Sequence, residues 1–252
     1  MNISPLYELP KSGILIPTSD WHIGAEEHDE PHFDDMLRFA KEERAGMVLG
    51  GDHIENAVAA GKAPGEKLLG QSKWPTEQFK IFIDKMLPFA KRGQIIGIIR
   101  GNHDARTRRE ALVDLCEIAA HSLGVPYFGV GVIARVKHGS QVYTTAWQHG
   151  RAGARNYFME LDRMMHRYPT AEVVGLGHIH VLDARRVAHL EVDPEGRESV
   201  GMKHQVRTGC FLKLAEYARE ALYAPPVIGA PVIRFGRKEH AIDVDTKTLS
   251  WI

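Results

Sequence analysis

The sequence predicts a layered α/β protein. Short apolar runs of strand length alternate with amphipathic stretches of helix length from residue 13 to about 180. Beyond about residue 181 the pattern turns to strands alone. The composition is that of an ordinary globular chain, 44% hydrophobic and 25% charged over 252 residues. These observations predict a single domain, 1–252, with a β-rich C-terminal part, and a chain of this length can bury a substantial core.

In order, residues 13–19 read as a buried strand. Residues 32–45 read as a helix, with Phe33, Met36, Leu37 and Ala40 on one face. A strand at 46–50 precedes the Gly-, Ala- and Lys-rich stretch 56–75, which reads as a surface loop or, more sharply, as a lid over a substrate. Residues 76–92 predict a helix bent or ended near Pro88. Then come a strand at 94–99, a helix at 108–123, a strand at 141–147, a helix at 155–167 and a strand at 172–176. Residues 183–192 and 197–208 flank Asp193-Pro194-Glu195-Gly196 and predict a hairpin. The run 208–214 and the terminus 240–252 predict two more strands.

Charge and cysteine content narrow the classes. There are 32 basic and 32 acidic residues, so the chain has no global attraction to polyanions and any such binding must be local. Cys116 and Cys210 lie in apolar stretches and read as core thiols, which suits a reducing compartment and a cytoplasmic location. The N-terminus lacks a basic stretch followed by an apolar one, so no signal peptide is expected. No run approaches the length of a membrane span. A homo-oligomer is left open, because no surface stripe marks an interface.

Five apolar runs end in residues that ligate metals: Asp20 and His22, Asp52, then Asn102, His103 and Asp104, then His149, then His178 and His180. In open α/β folds, ligands gather outside the carboxyl ends of strands, which is where each cluster falls. Oxygen and nitrogen donors without thiolate suit Mn²⁺, Fe, Zn²⁺ or Ni²⁺. A pair of ions needs a bridging ligand, and Asp52, flanked by Gly50 and Gly51, is the natural candidate. Of the 14 histidines, nine lie outside these motifs, and surface or core roles are expected for them; His53, beside Asp52, is the one closest to the chemistry. Trp21, between two candidate ligands, reads as core.

The ordered set D-x-H, G-D-x-x-E/N, G-N-H-D, H-G and G-H-x-H resembles the calcineurin-like metallophosphoesterase superfamily, from Asp20 to His180. The resemblance implies a layered β-sandwich core flanked by helices, with two divalent metal ions, Mn²⁺ foremost, at the carboxyl ends of the strands. It implies that Asp20, His22 and His180 hold one ion and Asn102, His149 and His178 the other. It further implies that Asp52 bridges both, together with a water or hydroxide that acts as the nucleophile. It also implies that His103 serves the leaving-group oxygen and that Asp104 holds the His103 ring.

The superfamily's Ser/Thr phosphatases carry G-D-x-V-D-R-G, but here the stretch runs Gly51-Asp52-His53-Ile54-Glu55-Asn56-Ala57, without the arginine. That departure, with G-N-H-D, resembles the phosphodiesterase and repair-nuclease branches. The expected substrate is a phosphate ester: a phosphodiester in a nucleotide, a cyclic nucleotide or a nucleic-acid end, with a small phosphomonoester as the alternative. A nucleic-acid-binding subunit active only in a complex is the alternative of another class. Arg106, Arg109, Arg151 and Arg155 are the candidate substrate-binding residues, since guanidinium forks match phosphate oxygens. Arg100, Arg108, Arg185 and Arg186 crowd the same motifs.

Overall fold

The computed structural model describes residues 1–58, 71–150, 157–192, 195–214 and 225–246. Two sheets pack face to face, with helices on their outer sides. The elements in order are β1 (Asn2–Ile3), β2 (Tyr7–Glu8), β3 (Ile14–Thr18), α1 (Glu30–Glu42), β4 (Gly46–Leu49), α2 (Pro75–Ala90), β5 (Ile95–Ile98), α3 (Ala105–Ala111) and α4 (Leu115–Leu123). They continue with β6 (Gly131–His138), β7 (Gln141–Gln148), α5 (Tyr157–Arg167), β8 (Val173–Leu176), β9 (Leu182–Val192), β10 (Glu198–Thr208), β11 (Val232–Phe235) and β12 (Ile242–Asp245).

One sheet runs β12-β11-β3-β4-β5, and the other β1-β6-β7-β8-β10-β9 with β2 also on β6. β3, β4 and β5 are parallel to one another, as are β7, β8 and β10 in the second sheet. Period-two alternation explains the layering. On β3, Ile14 and Ile16 pack with α1, α2 and α4, while Leu15 turns inward. Val48, Val132, Val136, Tyr143, Trp147 and Val173 fill the space between the sheets. α5 covers the outside of the second sheet through Leu161 and Met164 against Ala146 and Val174.

α1 starts within residues 26–35, a stretch rich in Asp and Glu. The Asp29 side chain accepts from the backbone N–H of His32, and Glu30 stands in the first turn, where the helix dipole favours negative charge. Cys116 and Cys210 are buried and unpaired. Among the described residues, no helix is long and apolar enough to cross a membrane.

α2 ends at Ala90, just past Pro88, as expected, and the proline sits on the exposed side of the last turn, where water can serve the carbonyl it disrupts. Other sequence expectations are corrected. The helix expected at 108–123 is two helices. Leu112 takes a left-handed conformation that ends α3, and the Asp114 side chain accepts from the N–H of Cys116 and of Glu117 to start α4. Arg100 and the Tyr127 hydroxyl hold that carboxylate in place.

The run 208–214 forms isolated bridges rather than a strand beyond Thr208. Its backbone is used instead on the loops before α1, with Phe211 N–H donating to the Asp20 carbonyl at 3.0 Å. β6 and β11 were not anticipated from the sequence, and β12 stops at Asp245. Much of the stretch 56–75, the start of the helix expected at 155, the turn at 193–194 and residues 247–252 lie outside the described residues.

Gly175 lets β8 pass beneath Trp147: a Cβ there would lie 2.0 Å from the indole. Gly175→Ala is expected to lower stability by about 1–3 kcal/mol through overpacking. Urea denaturation of the metal-free protein, read by tryptophan fluorescence, checks this.

Candidate metal centre

The five ligand clusters follow β3, β4, β5, β7 and β8 and meet on one crest of the two sheets. Backbone bonds knit the loops. Asp20 N–H donates to the Gly51 carbonyl, and the N–H groups of Trp21 and His22 both donate to the Asp52 carbonyl. The loops after β4 and β5 approach so closely that a Cβ on Gly101 would lie 2.1 Å from Oδ1 of Asp52. Asp20, His22, Asp52, Asn56, His178 and His180 all adopt positive φ, between 46° and 73°. Non-glycine residues rarely do so, and such strain concentrates at functional sites.

The side chains converge. His149 Nε2 lies 3.1 Å from Asp52 Oδ2, 3.1 Å from Asn102 Oδ1 and 3.9 Å from Asp20 Oδ1. His22 Nε2 stands 3.8 Å from the same Asp52 oxygen and 4.0 Å from Asp20 Oδ1. His180 Nε2 is 3.4 Å from Asp20 Oδ1. Donor atoms of Asp20, Asp52, His149 and His178 all lie within 4.8 Å of one another, as do those of Asp20, His22 and His180. Asp52 therefore faces both the His149 side and the His22 side.

Two atoms test whether this set fits a cation. Asp20 Oδ1 and His22 Nε2 are buried and make no hydrogen bond. Buried polar atoms are normally satisfied, so an orphaned carboxylate oxygen and an orphaned imidazole nitrogen facing one space fit a metal position. The other atoms of these groups are fixed from behind. Asp20 Oδ2 accepts from the Ser19 hydroxyl and from the N–H of His178, the latter at 2.8 Å. His22 Nδ1 is 2.8 Å from Glu55 Oε2, which leaves Nε2 with its lone pair towards the site.

Charge follows the geometry. Burial opposes ionisation of Asp20, yet His149 and His180 beside it bring its carboxyl down to about 2. Burial also opposes ionisation of Asp52, and there His149 holds the carboxyl well below the usual range. Burial lowers His22. For His149 burial is outweighed by Asp52 and Asp20, which raise it to about 10. Its two nitrogens agree with that: Nδ1 faces the Gly50 carbonyl at 2.9 Å and Nε2 faces two acceptor oxygens, so both carry protons.

The structure reassigns Asp104. Its carboxylate is buried and turned away from the His103 ring. It accepts from the backbone N–H groups of Asp52, His53 and Gly101 at 2.8, 3.2 and 2.9 Å. The His103 ring is held by Glu55 instead, with Nδ1 at 3.2 Å from Oε2. Glu55, three residues after Asp52, is the residue the sequence reading passed over. The G-D-x-x-E spacing contains it, but spacing alone cannot say which imidazoles it faces.

His53 is a core residue, stacked on Phe82 with ring centroids 4.8 Å apart. Trp21 is fully buried, with Nε1 donating to Thr18. Cys116 joins His53 and Asp104 in a closed buried group, where burial pushes its thiol well up and keeps it neutral.

The candidate arginines divide. Arg106 donates to Glu55 and contacts His103, and Arg109 donates to the Asn102 carbonyl at 3.0 Å. Arg100 is taken up by Asp114, and Arg185 by Asp162, Gln205 and the Phe158 ring. Arg151 and Arg155 lie outside the described residues.

No protein-family model and no curated protein matches the chain. Solved structures do. A conserved uncharacterized protein from Streptococcus pneumoniae, described as a predicted phosphoesterase, is 12% identical with a TM-score of 0.39, covering 92% of this chain and 88% of its own. A double mutant of Vps29 from Entamoeba histolytica is 11% identical with a TM-score of 0.48, covering 92% and 97%. A putative 5'-nucleotidase from Staphylococcus aureus is 10% identical with a TM-score of 0.47, covering 92% of this chain but 52% of its own. At these values the chemistry has to come from this chain's own residues.

Three outcomes are expected. Glu55→Ala frees the His22 ring and lowers divalent metal affinity about 10- to 100-fold, measured by titration calorimetry. Because His149 must give up its Nε2 proton before it can ligate, metal binding releases protons and tightens as pH rises. Calorimetry in two buffers of different ionisation enthalpy checks the release. Without metal the linkage runs the other way. The stability that His149 contributes is complete below its ordinary value, about 6.5, and is lost as pH rises through about 10.

Proposed function

We propose that this chain is a dinuclear-metal-dependent phosphoesterase that hydrolyses a phosphodiester in a nucleotide, a cyclic nucleotide or a nucleic-acid end. The observation that carries the reading is the pair of orphaned buried atoms, Asp20 Oδ1 and His22 Nε2, set among Asp52, His149 and His180. The ordered motifs that resemble calcineurin-like metallophosphoesterases support it. In this reading Asp20, His22 and His180 hold one ion, Asn102, His149 and His178 the other, and Asp52 serves both. Mn²⁺ is the favoured ion, and Fe, Zn²⁺ or Ni²⁺ would suit the same donors.

Two divalent ions bound there would acidify a water and offset phosphoryl charge. The chain's own residues do the rest. Glu55 fixes the His22 ring so that its lone pair faces the site, and fixes His103 beside it. The rings of His22 and His103 are 4.4 Å apart, and this position beside the ligand cluster supports a role for His103 at the leaving-group oxygen. Preference for a diester rests on the missing clamp arginine, whose place in the motif is taken by Asn56. Asn56 is instead buried, donating to the His103 carbonyl and accepting from Thr107.

The test is hydrolysis of a chromogenic phosphodiester against the matching phosphomonoester, by metal-stripped protein re-supplied with Mn²⁺. Diester preference that is lost in Asp52→Asn is the expected result; monoester preference would make the protein a phosphatase. His103→Ala should keep its metals, by elemental analysis, and lose about 10²- to 10⁴-fold in turnover. Loss of metal together with activity would remove His103 from the leaving-group role.

A further inference from the structure

His103 is held at both ring nitrogens. Nδ1 faces Glu55, 3.2 Å from Oε2 and 3.1 Å from the backbone carbonyl. Nε2 lies 2.9 Å from Nη2 of Arg106. A guanidinium has only donors to offer, so Nε2 is the accepting nitrogen of this contact and Nδ1 carries the ring proton towards Glu55. The face of His103 that would meet a leaving group is therefore covered by a cation.

Arg106 stands in the first turn of α3, three residues past His103. Its Nη1 donates to the Glu55 carbonyl at 2.7 Å and to Oε1 at 3.0 Å. That leaves Nη2 on the imidazole nitrogen, a neutral acceptor. A phosphoryl oxygen carries charge and makes a shorter and roughly twice stronger bond with a guanidinium. Arg100 and Arg185 are engaged elsewhere, with Asp114 and with Asp162 and Gln205, whereas Arg106 reaches the His103 ring.

We infer that Arg106 recognises the phosphoryl group of the substrate and uncovers His103 in doing so. Nη2 leaves His103 Nε2 for a non-bridging phosphoryl oxygen, while Nη1 stays on Glu55, so the change is a rotation at the end of one side chain. His103 Nε2 is then free to take a proton from solvent and offer it to the leaving-group oxygen, while Nδ1 keeps its own proton towards Glu55. The inference rests on the phosphoesterase reading and deepens it, because it makes the anionic phosphoryl group the part of the substrate that opens the site.

The test compares wild type, Arg106→Ala and Arg106→Lys, each reloaded with Mn²⁺. Metal content is measured by elemental analysis, binding of inorganic phosphate by calorimetry, and KM and kcat on the chromogenic diester. The expected result is that both variants keep wild-type metal content. Arg106→Ala should weaken phosphate binding about ten- to a hundredfold with a matching rise in KM. Arg106→Lys should recover part of the phosphate affinity by charge alone. Unchanged phosphate affinity in Arg106→Ala with metals bound overturns the inference and leaves the phosphoesterase reading standing. Loss of metal in both variants also overturns it, by making Arg106 part of site assembly. A wild type that binds metal but neither binds phosphate nor hydrolyses either ester overturns the underlying reading, and the inference with it.

Discussion

Asp104 accepts backbone N–H groups from two loops, at Asp52 and His53 after β4 and at Gly101 after β5. That buried carboxylate locks the crest of the five-stranded sheet. Both loops would otherwise leave amide groups unpaired in a region where water has no access, at about 1–3 kcal/mol each. With the loops locked, Asp52 is held at φ 51° and its own Oδ1 accepts from His103 N–H at 2.7 Å. The remaining ligands are then placed against a fixed carboxylate.

The carboxylates of the crest divide the work by partner. Asp104 binds the backbone of these loops and lies beside the His53 ring. Asp20 and Asp52 are equally buried and turn oxygens to the ligand cluster. Glu55 sits at the rim, where it touches His22, His103 and Arg106. Ring directions at the rim therefore depend on carboxylates whose own positions are set by buried hydrogen bonds. The same pairing explains why three acidic groups tolerate burial together. Each is matched by backbone donors or by imidazoles rather than by water.

The sandwich supplies the platform. β3, β4 and β5 bring three clusters to one edge of their sheet, and β7 and β8 bring two more from the facing sheet. Trp147 and Gly175 pack where the second sheet reaches that edge, so His149 and His178 follow strands whose relative height is set by core packing. A site assembled from both sheets depends on the inter-sheet contact being unique, which close-packed interiors provide.

Much of this was legible in the sequence. The apolar runs gave most of the strands, the helical spacing of Phe33, Met36, Leu37 and Ala40 gave the buried face of α1, and the run endings gave the residues that converge. These are local patterns, fixed by side-chain period and by the tendency of sites to lie at strand ends. The break at Leu112, the loss of a strand after Thr208 and the partners of Asp104 and Glu55 were not legible. Each depends on a contact between residues distant in the chain, such as Arg100 with Asp114 or Asp52 with Asp104. The sequence by itself determined which side chains stand at the strand ends. The tertiary structure alone decided which imidazole faces which carboxylate, because hydrogen-bond direction is set by how the two sheets bring their loops together.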